Sequence, residues 1–271
     1  MSNKKEKTDI TIIIPIYNAD EVLLTNAIKS IARQRVKPDV INLIVGDRVD
    51  DQKLLSKISN EFSLSDPDLD IVTTTHKKST DFAAQLNIGV KNCKTKWFIF
   101  LEQDDELSDV WVSNVIKYRE TYPDVQIFLP MILDVDPTGN FLGFTNEAVW
   151  ASQFSDEMGV LDNAALLRYQ NFNIDGMAML TDAYQEYGGM KESIKLSFIN
   201  EFLLRFTFNS CKVMIIPKLG YKHINNREGS LFDQYKKELS MDESRWWLSL
   251  AKKEYFHVND RNVSYEKIDK S

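Results

Sequence analysis

Short apolar runs alternate with amphipathic stretches through the first half of the chain, and this alternation constrains the fold most. The runs are rich in β-branched or aromatic residues and have the length of buried strands; they lie at residues 9–15, 40–45, 69–73 and 97–101. Between them, apolar residues recur at helical spacing at 20–35, through Leu54 and Ile58, and at 82–90. This order predicts right-handed crossovers and an α/β fold with a doubly wound, mostly parallel sheet.

The fourth apolar run ends in acidic residues, in the sequence Leu-Glu-Gln-Asp-Asp-Glu at 101–106. Unpaired buried carboxylates are costly, so these side chains are expected at the rim of the sheet, where solvent, a cation or a cationic partner can meet them. Residues two apart on an extended chain project to the same side, so Glu102 and Asp104 are predicted to face one point while Asp105 turns elsewhere. A solvated acidic turn is the alternative interpretation.

Polar residues follow three of the predicted strands. They are Tyr17 and Asn18, Asp47 and Arg48, and the acidic residues 102–105. Ligands of such sheets lie beyond the carboxyl ends of the strands, so these clusters are expected to share one edge. Scattered surface acids have no reason to follow this rule, and the convergence therefore favours a ligand site over a solvated turn.

Composition excludes several classes of protein. With 271 residues, 43% hydrophobic and 27% charged, the chain has the composition of an ordinary globular protein. Its net charge of -7 argues against nucleic acid as a partner. The N-terminus lacks the apolar stretch of a signal peptide, and no apolar run approaches the roughly 20 residues that cross a bilayer, so a cytoplasmic protein is expected. Cys93 and Cys211 are far apart and are predicted to be reduced thiols.

The second half is less regular. It predicts a helix at 108–122, a strand at 126–133, a turn at 136–139, a helix from Asn163, a strand or buried floor at 174–180, a helix at 198–208 and a β-like run at 213–217. The charged, aromatic-rich segment 231–256 predicts one or two helices. We therefore divide the chain into a domain of residues 1–230 and a helical C-terminal extension of residues 231–271.

Five motifs in order resemble those of the family 2 glycosyltransferases, and the similarity covers about residues 10–230. They are Pro-Ile-Tyr-Asn at 15–18, Asp47, Leu-Asn-Ile-Gly at 86–89, Leu-Glu-Gln-Asp-Asp at 101–105, and Gly-Gly-Met-Lys-Glu-Ser at 188–193 followed by Glu-Phe-Leu-Leu-Arg at 201–205. The resemblance implies the GT-A (Rossmann-like) fold. It also implies inverting transfer of a sugar from a nucleoside-diphosphate donor to a hydroxyl of a glycan or lipid-linked acceptor. A UDP-sugar is the expected donor.

The resemblance implies roles for individual residues as well. Mn or Mg would be held by Glu102, Asp104 and His223, since hard cations prefer oxygen ligands. The nucleotide-sugar site would comprise Pro15, Tyr17, Asn18, Asp47, Asn87, Gln103 and Asp105. Without the family, Tyr17 and Asn18 suit an ordinary turn, and a lone histidine such as His223 is more often structural.

Several features depart from the family pattern, and two of them concern the metal motif and the general base. The first acid of the metal motif is Glu102, where the family usually has Asp. Counted back from Arg205, the usual Glu-Asp pair that contains the general base falls on Phe198 and Ile199. Glu201 is the acid that remains in this segment and is the candidate base. These departures leave open a transferase-like domain that binds a nucleotide or glycan without turnover.

The C-terminal segment contains several aromatic residues among lysines and glutamates. They include Trp246, Trp247, Tyr255 and Phe256. Aromatic residues on a helix usually pack into the core, so we expect packing against the sheet. Peripheral contact with a membrane through this helix is the alternative.

Overall fold

A computed structural model describes residues 7–76, 82–147, 159–169, 171–225, 227, 237 and 240–264. Within these ranges, ten strands form one sheet with eight helices around it.

The first half of the described chain forms the parallel part of the sheet. Its strands are β1 (Ile10–Ile16), β2 (Val40–Val45), β3 (Ile71–Thr75) and β4 (Trp97–Phe100). Its helices are α1 (Glu21–Ala32), α2 (Val49–Ser65) and α3 (Phe82–Lys91). β1 pairs in parallel with β2 and β4, and β2 pairs in parallel with β3. The predicted α/β fold with parallel crossovers is therefore confirmed.

The second half extends the sheet with strands of both directions. In chain order its elements are β5 (Glu106–Leu107), α4 (Trp111–Thr121), β6 (Ile127–Val135), β7 (Phe141–Thr145), β8 (Val160–Leu161), α5 (Asn163–Arg168), β9 (Ala178–Leu180), α6 (Thr181–Glu186), α7 (Phe198–Phe208), β10 (Val213–Ile224) and α8 (Met241–Glu254). β9 lies antiparallel between β4 and β6, whereas β10 runs parallel to β6. The order across the sheet is β3-β2-β1-β4-β9-β6-β10-β5, with β7 paired to β6 and β8 paired to β10. The turn at 136–139 leads into β7, a strand that the sequence did not predict.

β10 is longer than the sequence predicts. The apolar run ends at Pro217, but the strand continues to Ile224 because two irregularities in its register with β6 accommodate the residues between Ile216 and Tyr221. The extension carries Tyr221 and His223 to the end of the sheet where the acidic loop lies. The apolar run at 213–217 therefore predicted only the first part of β10.

Apolar side chains cover both faces of the sheet, and β1 contributes to both. Ile12 and Ile14 belong to a cluster that includes residues of α1, α2 and α4, while Ile13 belongs to a cluster that includes residues of α3 and α7. This burial on two faces explains why β1 reads as a continuous apolar run.

The described part of the C-terminal segment packs against this core. Trp247 and Ala251 of α8 are buried, and Tyr255 belongs to the same apolar cluster as residues of α7. No described helix combines the length and apolar character that a membrane span requires. The domain boundary drawn at residue 230 falls outside the described residues and stays a prediction.

Candidate active site

The three polar clusters predicted at strand ends lie at the carboxyl edge of the parallel strands. The loop after β1 carries Tyr17 and Asn18, and the loop after the neighbouring β2 carries the exposed Asp47. Gln103, in the loop after β4, donates a hydrogen bond of 2.5 Å from Nε2 to the carbonyl oxygen of Tyr17. The acidic loop is thus tied directly to the loop that follows β1. Pro15 precedes that loop and is buried within β1.

The acidic loop gathers three carboxylates at one point. Glu102, Asp104 and Asp105 each offer an oxygen, and these atoms lie within 4.8 Å of one another. The expectation that Asp105 turns elsewhere is wrong. The chain leaves the extended conformation after Glu102, and a turn closed by a 3.3 Å bond from the Asp105 N–H to the Glu102 carbonyl brings Asp105 back.

The end of β10 holds this loop in place. The Tyr221 hydroxyl donates to Asp105 Oδ2 at 2.8 Å and accepts a 3.1 Å bond from the Glu102 N–H. The backbone N–H of Ile224 donates to Asp105 Oδ1 at 2.8 Å. Asp105 is almost fully buried, and its role in the described structure is to shape the loop. A direct contact between Asp105 and the nucleotide sugar stays a prediction.

Two further carboxylates that the sequence analysis did not identify lie close by. Asp134, on β6, accepts a 2.8 Å hydrogen bond from Thr145 and lies 2.9 Å from Nδ1 of His223. Asp175, in the loop before β9, is buried, and its charge helps to raise the pKa of Glu102. Asp134 directly follows the predicted strand 126–133, so the edge rule could have identified it had that strand been predicted as parallel. Asp175 lies inside the run 174–180, where the rule gave no signal.

Crowding of buried carboxylates dominates the electrostatics. Burial, together with the charge of Asp104, raises the pKa of Asp105 to about 8. Burial and the charges of Asp175 and Asp105 raise the pKa of Glu102 well above its ordinary value. The site therefore disfavours its own full ionisation and attracts positive charge.

Two cationic groups of the described chain reach this cluster. Arg227 Nε lies 2.7 Å from Asp104 Oδ2. Burial alone would lower the pKa of His223, but its hydrogen bond to Asp134 and the charge of Asp105 raise it to about 9. His223 thus lies beside the acidic loop and is paired with Asp134; its role as a metal ligand stays a prediction.

The residues at this edge fit a hard divalent cation. Three carboxylate oxygens converge, and the five acids of the cluster outnumber the two cationic side chains. Oε1 of Gln103 is buried and has no hydrogen-bond partner in the described part of the chain. A site with carboxylate oxygen ligands and an excess of negative charge suits Mg²⁺ or Mn²⁺ better than a soft metal.

Asn87 occupies a different position from the one its predicted role requires. Its Oδ1 accepts bonds from the Tyr184 hydroxyl at 2.7 Å and the Met190 N–H at 2.9 Å, and its Nδ2 donates to the Met190 carbonyl at 2.8 Å. The side chain thereby fixes the loop after α6. A contact of Asn87 with the nucleotide stays a prediction that this geometry does not support.

Glu201 lies in the core. Its carboxylate is 1% exposed, Oε1 lies 2.9 Å from Lys191 Nζ and 2.8 Å from Arg205 Nε, and Oε2 accepts a 3.1 Å bond from Arg205 Nη2. Arg205 also donates to the carbonyls of Tyr187 and Gly189. The carboxylate is therefore held by two cations inside the protein, and this geometry favours a structural role over that of a base for an acceptor hydroxyl.

A family model and known proteins with similar sequences match this chain. A model of glycosyl transferase family 2 matches residues 11–179. The minor teichoic acid biosynthesis protein GgaB of Bacillus subtilis is 29% identical over 124 residues, which are 45% of this chain and 13% of that protein. The teichoic acid poly(glycerol phosphate) polymerase of Staphylococcus epidermidis is 34% identical over 113 residues, which are 41% of this chain and 15% of that protein.

Solved structures show the same architecture. TarS 1–349 of S. aureus in complex with UDP-GlcNAc superposes with a TM-score of 0.66 at 13% identity, over 89% of this chain and 65% of that one. At this identity the likeness shows the fold alone. The matched part of this chain is less than a sixth of the length of either teichoic acid protein.

Proposed function

The chain belongs to glycosyl transferase family 2, and we propose that it transfers a sugar from a nucleoside-diphosphate donor, a UDP-sugar, to a hydroxyl group with inversion at the sugar carbon. The acidic loop at the end of β4 carries this proposal, since it meets the loop after β1 through the bond from Gln103 to Tyr17. The UDP-GlcNAc complex of the TarS neighbour supports the choice of donor. The teichoic acid relatives support a glycan or lipid-linked polymer as acceptor.

Negative charge develops on the diphosphate leaving group as its bond to the sugar breaks. Mn²⁺ or Mg²⁺, held by Glu102 and Asp104 with His223 beside them, would supply positive charge to that leaving group. In our proposal the chain's own residues orient the donor. Asp47 accepts a hydrogen bond from the base or ribose, and Pro15, Tyr17 and Asn18 shape the nucleotide pocket.

The general base is the part of the mechanism that the geometry supports least. Phe198 and Ile199 occupy the place of the usual acidic pair, and Glu201 is engaged by Lys191 and Arg205. This observation favours a second candidate function, in which the domain binds a nucleotide or glycan and does not turn it over.

Incubation with Mn²⁺ and a panel of nucleotide sugars, with detection of released nucleoside diphosphate, distinguishes the two functions. A transferase is expected to release nucleoside diphosphate, and Asp104→Ala is expected to abolish the release. Asp109→Ala is the matched control, because Asp109 is an exposed acid in the same segment that pairs with Arg33. Nucleotide binding by calorimetry without release for any donor and acceptor would support the binding module and contradict the transferase.

Membrane contact through the C-terminal helix remains part of the proposal for a lipid-linked acceptor. Trp247 and Tyr255 are buried, which supports packing of this segment against the rest of the protein and not against a membrane. Phe256, however, is 52% exposed. Co-sedimentation with anionic liposomes at low salt tests this contact. A protein that stays in the supernatant would remove the membrane from the proposal.

A further inference from the structure

The loop after β1, residues 17–19, has an unusual backbone conformation. Asn18 at its centre is exposed and has a φ of 48°, in the left-handed region. This region is costly for residues other than glycine, and although asparagine tolerates it better than most, the contacts around the loop have to favour it. Asp20 caps α1 directly after the loop, so the chain has three residues in which to turn from the sheet into the helix.

Gln85 of α3 holds the start of this loop. Its Nε2 donates a 2.9 Å hydrogen bond to the carbonyl oxygen of Ile16, the last residue of β1, and Gln85 is 1% exposed. The side chain reaches the strand because α3 packs closely on β1 at Gly89, where a Cβ would lie 2.5 Å from Cγ2 of Ile13. Gln85 lies four residues before Gly89, and therefore on the same face of the helix.

Asp51 of α2 holds the end of the loop. Its Oδ1 accepts a 3.3 Å hydrogen bond from the Ala19 N–H, and Asp51 is 7% exposed. Its other oxygen, Oδ2, lies 3.7 Å from Nε of Arg48, so the two carboxylate oxygens have separate partners. With the bond from Gln103 to the Tyr17 carbonyl, side chains from α2, α3 and the acidic loop hold three backbone groups of residues 16–19.

We infer that Gln85 and Asp51 are positioning residues for the nucleotide, which keep the loop after β1 in its binding conformation before the nucleotide arrives. The inference rests on the proposed function, in which this loop shapes the nucleotide pocket. A loop that is already fixed loses less conformational entropy when a ligand binds. The two residues therefore strengthen nucleotide binding without contacting the nucleotide, by raising the fraction of molecules that are competent to bind it.

Calorimetric titration of the full chain with UDP in the presence of Mn²⁺, well below the unfolding temperature, tests the inference. Gln85→Met keeps the length of the side chain and removes the donor. We expect the Kd for UDP to rise about three- to tenfold, the fold-change that corresponds to the net free energy of one hydrogen bond. Asp51→Ala should raise the Kd by a similar factor. Asp51→Asn should keep the wild-type Kd, because an amide oxygen can still accept the Ala19 N–H.

Gln34→Met is the matched control. Gln34 is another buried glutamine, and its Nε2 donates to the carbonyl oxygens of Ser30 and Ser108, beyond the end of α1 that lies farther from the loop after β1. This variant should lower the Tm, because it removes the donor to buried carbonyl groups, and should leave the Kd for UDP unchanged.

Hydrogen exchange without nucleotide gives a second measurement. The amides of Asn18 and Ala19 are expected to exchange faster in Gln85→Met than in the wild type, and at the wild-type rate in Gln34→Met. Should Gln85→Met fail to fold, the comparison of Asp51→Ala with Asp51→Asn decides the outcome.

A lower Tm with an unchanged Kd for UDP in both Gln85→Met and Asp51→Ala would overturn the inference and make the two residues structural. The proposed function would then stand, because the wild type still binds UDP. A wild-type chain that binds neither UDP nor another nucleoside diphosphate would instead overturn the proposed donor, and the inference with it.

Discussion

The hydroxyl group of Tyr221 donates a hydrogen bond of 2.8 Å to Asp105, a residue 116 positions earlier in the chain. The same oxygen accepts the backbone N–H of Glu102, so one side chain from the end of β10 sets the conformation of the acidic loop after β4. Because the loop depends on this contact, its geometry is coupled to the long irregular strand.

Tyr221→Phe is expected to lower the free energy of unfolding by about 1–3 kcal/mol, since it removes the hydrogen-bond partner of Oδ2 in the buried Asp105 carboxylate and of the Glu102 N–H. It should also weaken Mn²⁺ binding, because the loop loses its support. Urea unfolding and Mn²⁺ calorimetry measure the two effects. Tyr184→Phe is the matched control: Tyr184 is another buried tyrosine, but its hydroxyl donates to Asn87. An equal loss of Mn²⁺ affinity in both variants would contradict the assigned role of Tyr221.

Glu201→Gln distinguishes a structural role from a catalytic one. Removing the charge leaves Lys191 and Arg205 buried without their carboxylate, so we expect a loss of about 3–5 kcal/mol of stability in urea unfolding. Glu186→Gln, at an exposed position on α6, should change stability by less than about 0.5 kcal/mol. If Glu201→Gln keeps wild-type stability and loses only turnover, Glu201 is the general base after all.

Low pH is expected to weaken the contact between Asp260 in the C-terminal segment and Ser193 in the loop after α6. Burial alone would raise the pKa of Asp260, but hydrogen bonds from the hydroxyl and N–H of Ser193 and from the N–H of Asn262 lower it below its ordinary value of 3.8. Because the pKa is lower in the folded state, the contribution to stability is fully present above about pH 5 and is lost as the pH falls through the folded-state pKa.

The measurement compares urea midpoints of the wild type and Asp260→Asn between pH 7 and pH 2. The variant should be less stable at neutral pH, and the difference should shrink as the pH falls below 3.8. A difference that stays constant over the whole range would show that the ionised carboxylate of Asp260 contributes nothing.

Gly89→Ala is expected to disturb the packing of α3 on the sheet. A Cβ at residue 89 would lie 2.5 Å from Cγ2 of Ile13 and 3.1 Å from Cγ1 of Ile44, so β1, β2 or the helix must shift. We expect a loss of about 1–3 kcal/mol. Gly143→Ala, where a Cβ meets nothing within 4 Å, is the control and should stay within about 0.5 kcal/mol of the wild type. Equal unfolding midpoints for both variants would show that the close packing of Gly89 against Ile13 and Ile44 does not require a glycine.

The parallel half of the fold could be predicted because its signals are local. β1, β2 and β4 are mostly apolar and buried within the sheet, while β3 is a partly exposed edge strand made of β-branched residues. The helices between them repeat apolar residues at helical spacing. The rule that ligands lie beyond the carboxyl ends of parallel strands then placed Tyr17, Asp47 and the acidic loop at one edge, and the structure shows them there. The family resemblance was also confirmed, since the family model matches residues 11–179, which contain four of the five motifs.

The sequence by itself therefore determined the parallel core, the edge of the sheet that carries the site, and the acidic loop as its centre. Only the tertiary structure decided which other residues reach that loop. Tyr221 reaches the loop on an irregular strand that continues beyond Pro217. The same strand carries His223, which the family resemblance had already named. Contacts between residues this far apart in the chain depend on strand pairing and backbone irregularities, and local periodicity carries no information about either. Glu201 and Arg205 are a local pair four residues apart on α7, but the burial of Glu201 beside Lys191 was fixed by packing in the core.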